Sequence, residues 1–331
     1  MKKEVLRNIR KLACTSMAVA GLSLFSGNLQ AQETQGRYNY SFSDHAKVAA
    51  VNMLLNGFVS GIGAARNHQP FFENFVKGAF GGALITSANY MVARNEDLAW
   101  PSKFVTSIGS SIAYNTSRGR PMFDTFGMEI GPLYLSLERR NSRHGQVTEE
   151  SSSIVSQSRG ETSSRRGQSR GETSSRRGQS REGNYGLNWY LIPGSLAGIA
   201  GGIIRGSHFS LENSLRYGTP IFYDHNLQDD AKGYRYGFLG SNVLLLNENI
   251  TNGETRHELI HINQVATYRS LSSLLPKRYF GTDSFLSKNH IDISTIPGDI
   301  LNNLQRLLLP YENRLSEWEA MVFSGYPPPK K

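Results

Sequence analysis

The chain has 331 residues, a formal net charge of +9 and a single cysteine. A basic balance raises nucleic acid as a partner, but residues 1–31 carry a net +4 and residues 157–181 a net +5, which together account for the whole excess. The remainder is neutral, so no nucleic-acid-binding face is expected, and with Cys14 alone a disulfide framework and a thiolate metal site are excluded.

The N-terminus has the layout of an export signal. Lys2, Lys3, Arg7, Arg10 and Lys11 form a basic region, Leu12 to Phe25 a short apolar core, and Leu29-Gln30-Ala31 a cleavage point before Gln32. That run is short for a membrane span. Leu12-Ala13-Cys14 imitates a lipidation site but precedes the apolar core instead of following it. Residues 1–31 are therefore expected to be a signal peptide. The rest, 32–331, is expected to form one α+β domain in the periplasm, at the periphery of the outer membrane or in the medium.

Three helical segments rich in small residues come next: Asp44 to Ala65, Phe75 to Ala93 and Lys103 to Tyr114. Gly57, Gly61, Gly78, Gly81 and Gly82 allow close backbone approach, which suits either a membrane-embedded hairpin or a glycine-rich layer over a sheet. Asn52, Asn56, Lys77 and Asn89 are costly in lipid unless paired, and favour the second reading, with membrane-surface association as a further partner.

Strand patterning then takes over. Ile130 to Leu137 alternates leucine with Tyr134 and Ser136, and Tyr185 to Ile192, Ile199 to Ile204, Phe209 to Tyr217 and Arg235 to Leu246 are further candidates, read together as an antiparallel meander. Between the first two lies a low-complexity insert, 145–183, in which the eleven residues Gln157 to Gly167 recur as Gln168 to Gly178. Its composition offers nothing to bury and predicts disorder.

The chemistry is concentrated in His257-Glu258-Leu259-Ile260-His261. On a helix, positions i and i+4 share a face, so both imidazoles can meet one metal ion while Glu258 stands beside them as a base. A later helix carrying a glutamate completes such a site, and Glu317-Trp318-Glu319-Ala320 lies near the C-terminus. The stretch from Thr251 to Ser324 resembles the gluzincin metallopeptidases, with an E-x-x-A element like that of the CAAX-prenyl-protease type. The resemblance implies a zincin-like motif helix and a C-terminal glutamate-bearing helix. It further implies Zn2+ held by His257, His261 and Glu317, with Glu319 or Glu312 as alternatives for the third ligand, and Glu258 as general base. It implies a peptide or protein substrate, and a cleft-lining edge strand at Val243 to Leu246, a segment that composition alone leaves equally open to a core position. Tyr268, Tyr311 and His290 are candidate oxyanion stabilisers. The competing reading is a non-catalytic envelope scaffold or membrane-associated interaction protein that keeps the motif.

Overall fold

The computed structural model describes residues 40–139, 185–225, 227, 236–240, 242–276, 284–309 and 314–325. The signal peptide and the insert of the sequence reading, with Tyr311 and Glu312, lie outside these residues.

Three helices open the fold: α1 (Phe42–Ala65), α2 (Phe71–Arg94) and α3 (Ala99–Ser117). A capping box starts α1, with the Ser41 hydroxyl accepting from the Asp44 amide and the Asp44 carboxylate accepting from the Ser41 amide. The helices pack at glycine contacts so close that a side chain would not fit. A Cβ on Gly82 would lie 2.6 Å from the carbonyl oxygen of Asn52, and one on Gly81 would lie 2.5 Å from that of Gly109. The polar residues on α1 and α2 have partners. Asn56 donates to the Asn52 carbonyl at 3.0 Å, Lys77 pairs with Glu73 at 2.6 Å, and Asn52 and Asn89 bond to Glu319. The amide nitrogens are thereby paired, as buried donors require, while Oδ1 of Asn56 and of Asn89 accepts no hydrogen bond among the described residues. Helix α1 is long and apolar enough to cross a membrane, and half of its most apolar stretch is buried within the fold.

The chain next forms β1 (Thr125–Ile130), β2 (Leu133–Arg139) and β3 (Tyr185–Leu191), an antiparallel meander in that order. Strand β1 was absent from the sequence reading. The expected strand start at Ile130 is its last residue, followed by a turn in which Gly131 takes a φ of +55°. On β2, Tyr134 and Ser136 are buried while Leu137 is exposed, so the leucine side is the more open one. Tyr134 is drawn inward by Arg269, whose guanidinium carbon lies 3.6 Å from the ring centroid. Arg269 is itself buried, pairs with Glu129 of β1 and with Asp292, and donates to the Ser294 hydroxyl at 2.6 Å.

Two expected strands are mostly helical. Ile199 to Ile204 belongs to α4 (Pro193–Ile204), which starts with proline in its first turn. Of Phe209 to Tyr217 only Phe209 is extended, in β4 (His208–Phe209); α5 (Leu211–Tyr217) follows, capped by Ser210 and ended by Gly218 at φ +67°. A second sheet has the order β4, β5 (Ile221–Tyr223), β7 (Val243–Leu246), β6 (Tyr236–Gly240), with β5 parallel to β7. The expected single meander is thus two sheets, one of them mixed. Strand β7 is no edge either. It is paired on both sides and wholly buried, so no peptide can add to it.

The motif helix α6 (Asn252–Tyr268) runs into a 3-10 turn, Arg269–Leu274. Beyond lie α7 (Phe285–Lys288), α8 (Ile296–Leu308) and α9 (Leu315–Ser324). The small-residue helices pack on both sheet and helix: α3 lies against β1, where Phe104 meets Phe126 and the Ser111 hydroxyl accepts from the Gly127 amide at 3.0 Å. Helices α2 and α3 pack on α6, and the main core, including Val48, Val92, Leu244, Leu246, Leu259, Ile260 and Val322, joins α1, α2, α6 and α9 to the second sheet. The class is mixed helix and sheet, as α+β implies.

If the glycine contacts set the helix spacing, Gly81→Ala should lower stability by ~1–3 kcal/mol, the scale of an overpacked core. Gly253→Ala, where a Cβ would approach nothing closer than 3.8 Å, should be neutral or stabilising. Thermal melting of both variants tests this; equal shifts would mean that the contact between α2 and α3 is not tight.

Candidate metal centre

Helix α6 is fixed at its start by a second capping box. Thr251 accepts from the Glu254 amide at 3.3 Å, and the Glu254 carboxylate accepts from the Thr251 amide at 2.8 Å. Two turns in, His257 and His261 stand one above the other, with ring centroids 4.8 Å apart and planes at 80°. Helix α9 packs across them and presents Glu317 from its first turn.

The three side chains converge. The two Nε2 atoms are 3.1 Å apart, and Glu317 Oε2 lies 3.4 Å from His257 Nε2 and 3.2 Å from His261 Nε2. Ligands held ~2.0–2.1 Å from a tetrahedral ion lie ~3.3–3.4 Å from one another, so the triangle is that of three corners around one metal ion. His257, His261 and Glu317 can hold a metal ion. Two imidazoles and one carboxylate form a borderline, nitrogen-rich donor set, unlike the all-oxygen shells that calcium and magnesium prefer. His257 is fully buried, and what exposure the site has lies at His261 and Glu317, whose side chains are 12% and 9% exposed.

The other sequence candidates fall as follows. Glu258 is buried, and its charge is among those favouring a protonated His261. Glu319 is not the third corner. Its Oε1 accepts from Asn52 at 2.5 Å and from Asn89 at 2.7 Å, and its Oε2 accepts from Gln264 at 2.8 Å. Burial pushes the Glu319 carboxyl up, against the pull of these three donors. Tyr268 is buried at the end of α6, and burial, with the charges of Glu319 and Glu317, pushes its phenol up. His290 is held against β3, where its Nδ1 bonds the Trp189 carbonyl at 2.8 Å and its ring stacks on the indole. Gln264, which bonds His261 Nδ1 at 2.8 Å, escaped the sequence reading. Its position three residues after His261 on a helix was the signal that could have found it.

No family model, curated protein or solved structure matches the chain.

Burial disfavours a charge on His261, but the Glu317 carboxylate outweighs it and lifts the imidazole to about 9. The same pairing, against the opposing effect of burial, holds Glu317 well below the usual carboxylate range. Without metal, the pair stabilises the fold fully below the unfolded histidine pKa of ~6.5, until acid titrates the carboxylate, and the His261 contribution is lost as pH rises through about 9. Metal needs the neutral imidazole, so uptake below about pH 9 displaces a proton. Zinc affinity should therefore rise ~10-fold per pH unit between about pH 7 and about pH 8.5, with close to one proton released in calorimetry run in buffers of different ionisation heat. An affinity flat across that range would contradict the pairing.

Proposed function

We propose that the chain is a zinc-dependent metallopeptidase, of zincin-like build around α6 and α9, that hydrolyses peptide bonds in an exported protein or peptide substrate. The observation that carries this reading is the ligand triangle, combined with the carboxylate of Glu258 directly after the first histidine. His257, His261 and Glu317 would hold the ion and leave a fourth position open, as in catalytic rather than structural zinc sites. When bound, zinc supplies Lewis acidity toward a carbonyl oxygen and lowers the pKa of water to ~7. Glu258 would take a proton from the attacking water as its oxygen adds to the carbonyl carbon, and would pass that proton to the amine nitrogen as the carbonyl re-forms and the C–N bond breaks. Export rests on the arrangement of residues 2–31.

Ligand and base respond differently to substitution. His257→Ala and His261→Ala should each lose most bound zinc, and Glu317→Gln should bind it more weakly, because an amide is a poorer ligand than a carboxylate. Glu258→Gln should keep its zinc while peptide hydrolysis falls by ~10²-fold or more, the scale of a lost general base. Metal content by mass spectrometry, together with cleavage of a peptide library, reads both. Zinc bound at full stoichiometry with no cleavage by the parent would identify a non-catalytic metal site and favour the scaffold reading.

A further inference from the structure

We propose that Glu319 is the outer anchor of the metal centre, fixing the tautomer of His261 through Gln264 and tying the site to the glycine-rich helices α1 and α2. This proposal rests on the metal-binding reading above.

Acceptors that cannot donate settle the direction of each bond. The Gln264 amide nitrogen lies 2.9 Å from the carbonyl oxygen of Ser316 and 2.8 Å from Oε2 of Glu319. A backbone carbonyl only accepts, so this end of Gln264 is the NH2 group, and it donates to both. The other end is then the oxygen, and it is this atom that lies 2.8 Å from His261 Nδ1. An amide oxygen also only accepts, so Nδ1 carries a hydrogen. In the neutral ring the lone pair is therefore on Nε2, the atom that faces His257 and Glu317. Gln264 thus prepares His261 for a metal, and Glu319 prepares Gln264.

Glu319 is in turn over-determined. Asn52 of α1 and Asn89 of α2 both donate to its Oε1, and each lies deep in the bundle. Asn52 can reach it because α1 and α2 touch at Gly82, where a Cβ would lie 2.6 Å from the Asn52 carbonyl oxygen. Asn52 and Asn89 of the helical hairpin thus belong to the support of the metal centre. Partners at this remove from a metal typically change affinity 10–100-fold when lost.

Two variants of the full chain test the role: Gln264→Leu and Glu319→Gln. Zn2+ affinity is read by competition with a chromophoric chelator, the ligand field by visible absorption of the Co2+ form, and folding by circular dichroism. Gln264→Leu removes the contact to His261 and leaves Glu319 its two asparagines. It should fold, bind Zn2+ ~10–100-fold more weakly and shift the Co2+ bands. Glu319→Gln should show a loss on the same scale. If Glu319→Gln does not fold, Gln264→Leu decides the matter. A folded Gln264→Leu with the affinity and Co2+ spectrum of the parent, while Glu317→Gln binds weakly, would overturn the anchor and leave the metal centre standing. A parent that binds neither Zn2+ nor Co2+ would overturn both.

Discussion

The structure depends on how it keeps acidic side chains out of water. Glu258, Glu317 and Glu319 are all buried where α6 meets α9, and an uncompensated carboxylate in such a place is strongly destabilising. Each of the two on α9 has its own compensation. Glu317 faces two imidazoles, and Glu319 receives amide hydrogens from Asn52, Asn89 and Gln264. This constraint fixes the relative position of α6 and α9, because either helix sliding by one turn would strip a carboxylate of its partners. It also explains why four separate segments of the chain converge there.

The close helix contacts follow from the same constraint. Short asparagine side chains reach Glu319 of α9 from both α1 and α2, and these two helices meet at backbone distance, which glycine and serine allow and larger residues would prevent. At the far end of α6, Arg269 performs the opposite service. Its buried cation is matched by Glu129 and Asp292 and roofed by Tyr134, joining the three-stranded sheet to the exit of the motif helix. The Arg269 charge holds Asp292 down although burial pushes the other way. One end of α6 thus gathers carboxylates around imidazoles and amides, and the other gathers carboxylates around a guanidinium.

How much of this was legible in the sequence depended on the range of the interaction. Helices α1, α2 and α3 were marked by long apolar stretches set apart by Asn67-His68-Gln69-Pro70 and Pro101, and the motif helix by its spacing. The pairing of His257, His261 and Glu317 was readable only through a resemblance, because nothing local connects residue 317 to residue 257. Choosing Glu317 over Glu319 needed the direction in which α9 faces α6, which the sequence does not carry. Strand assignment failed where glycine and isoleucine mix. Ile199 to Ile204 reads as extended, yet Pro193 starts a helix whose Gly202 lies flat against the Phe222 ring. The parallel pairing of β5 with β7 was hidden for the same long-range reason, and it moved β7 from an edge to the core.

The central claim is that His257, His261 and Glu317 surround one zinc ion. X-ray absorption at the zinc edge, on the full chain loaded with one equivalent of Zn2+, addresses it most directly. The account predicts a shell of low-Z donors at ~2.0–2.1 Å, with the multiple-scattering signature of two imidazoles, and loss of the signature of one imidazole in His261→Ala. A six-oxygen shell without imidazole scattering, or a spectrum unchanged by His261→Ala, would contradict it.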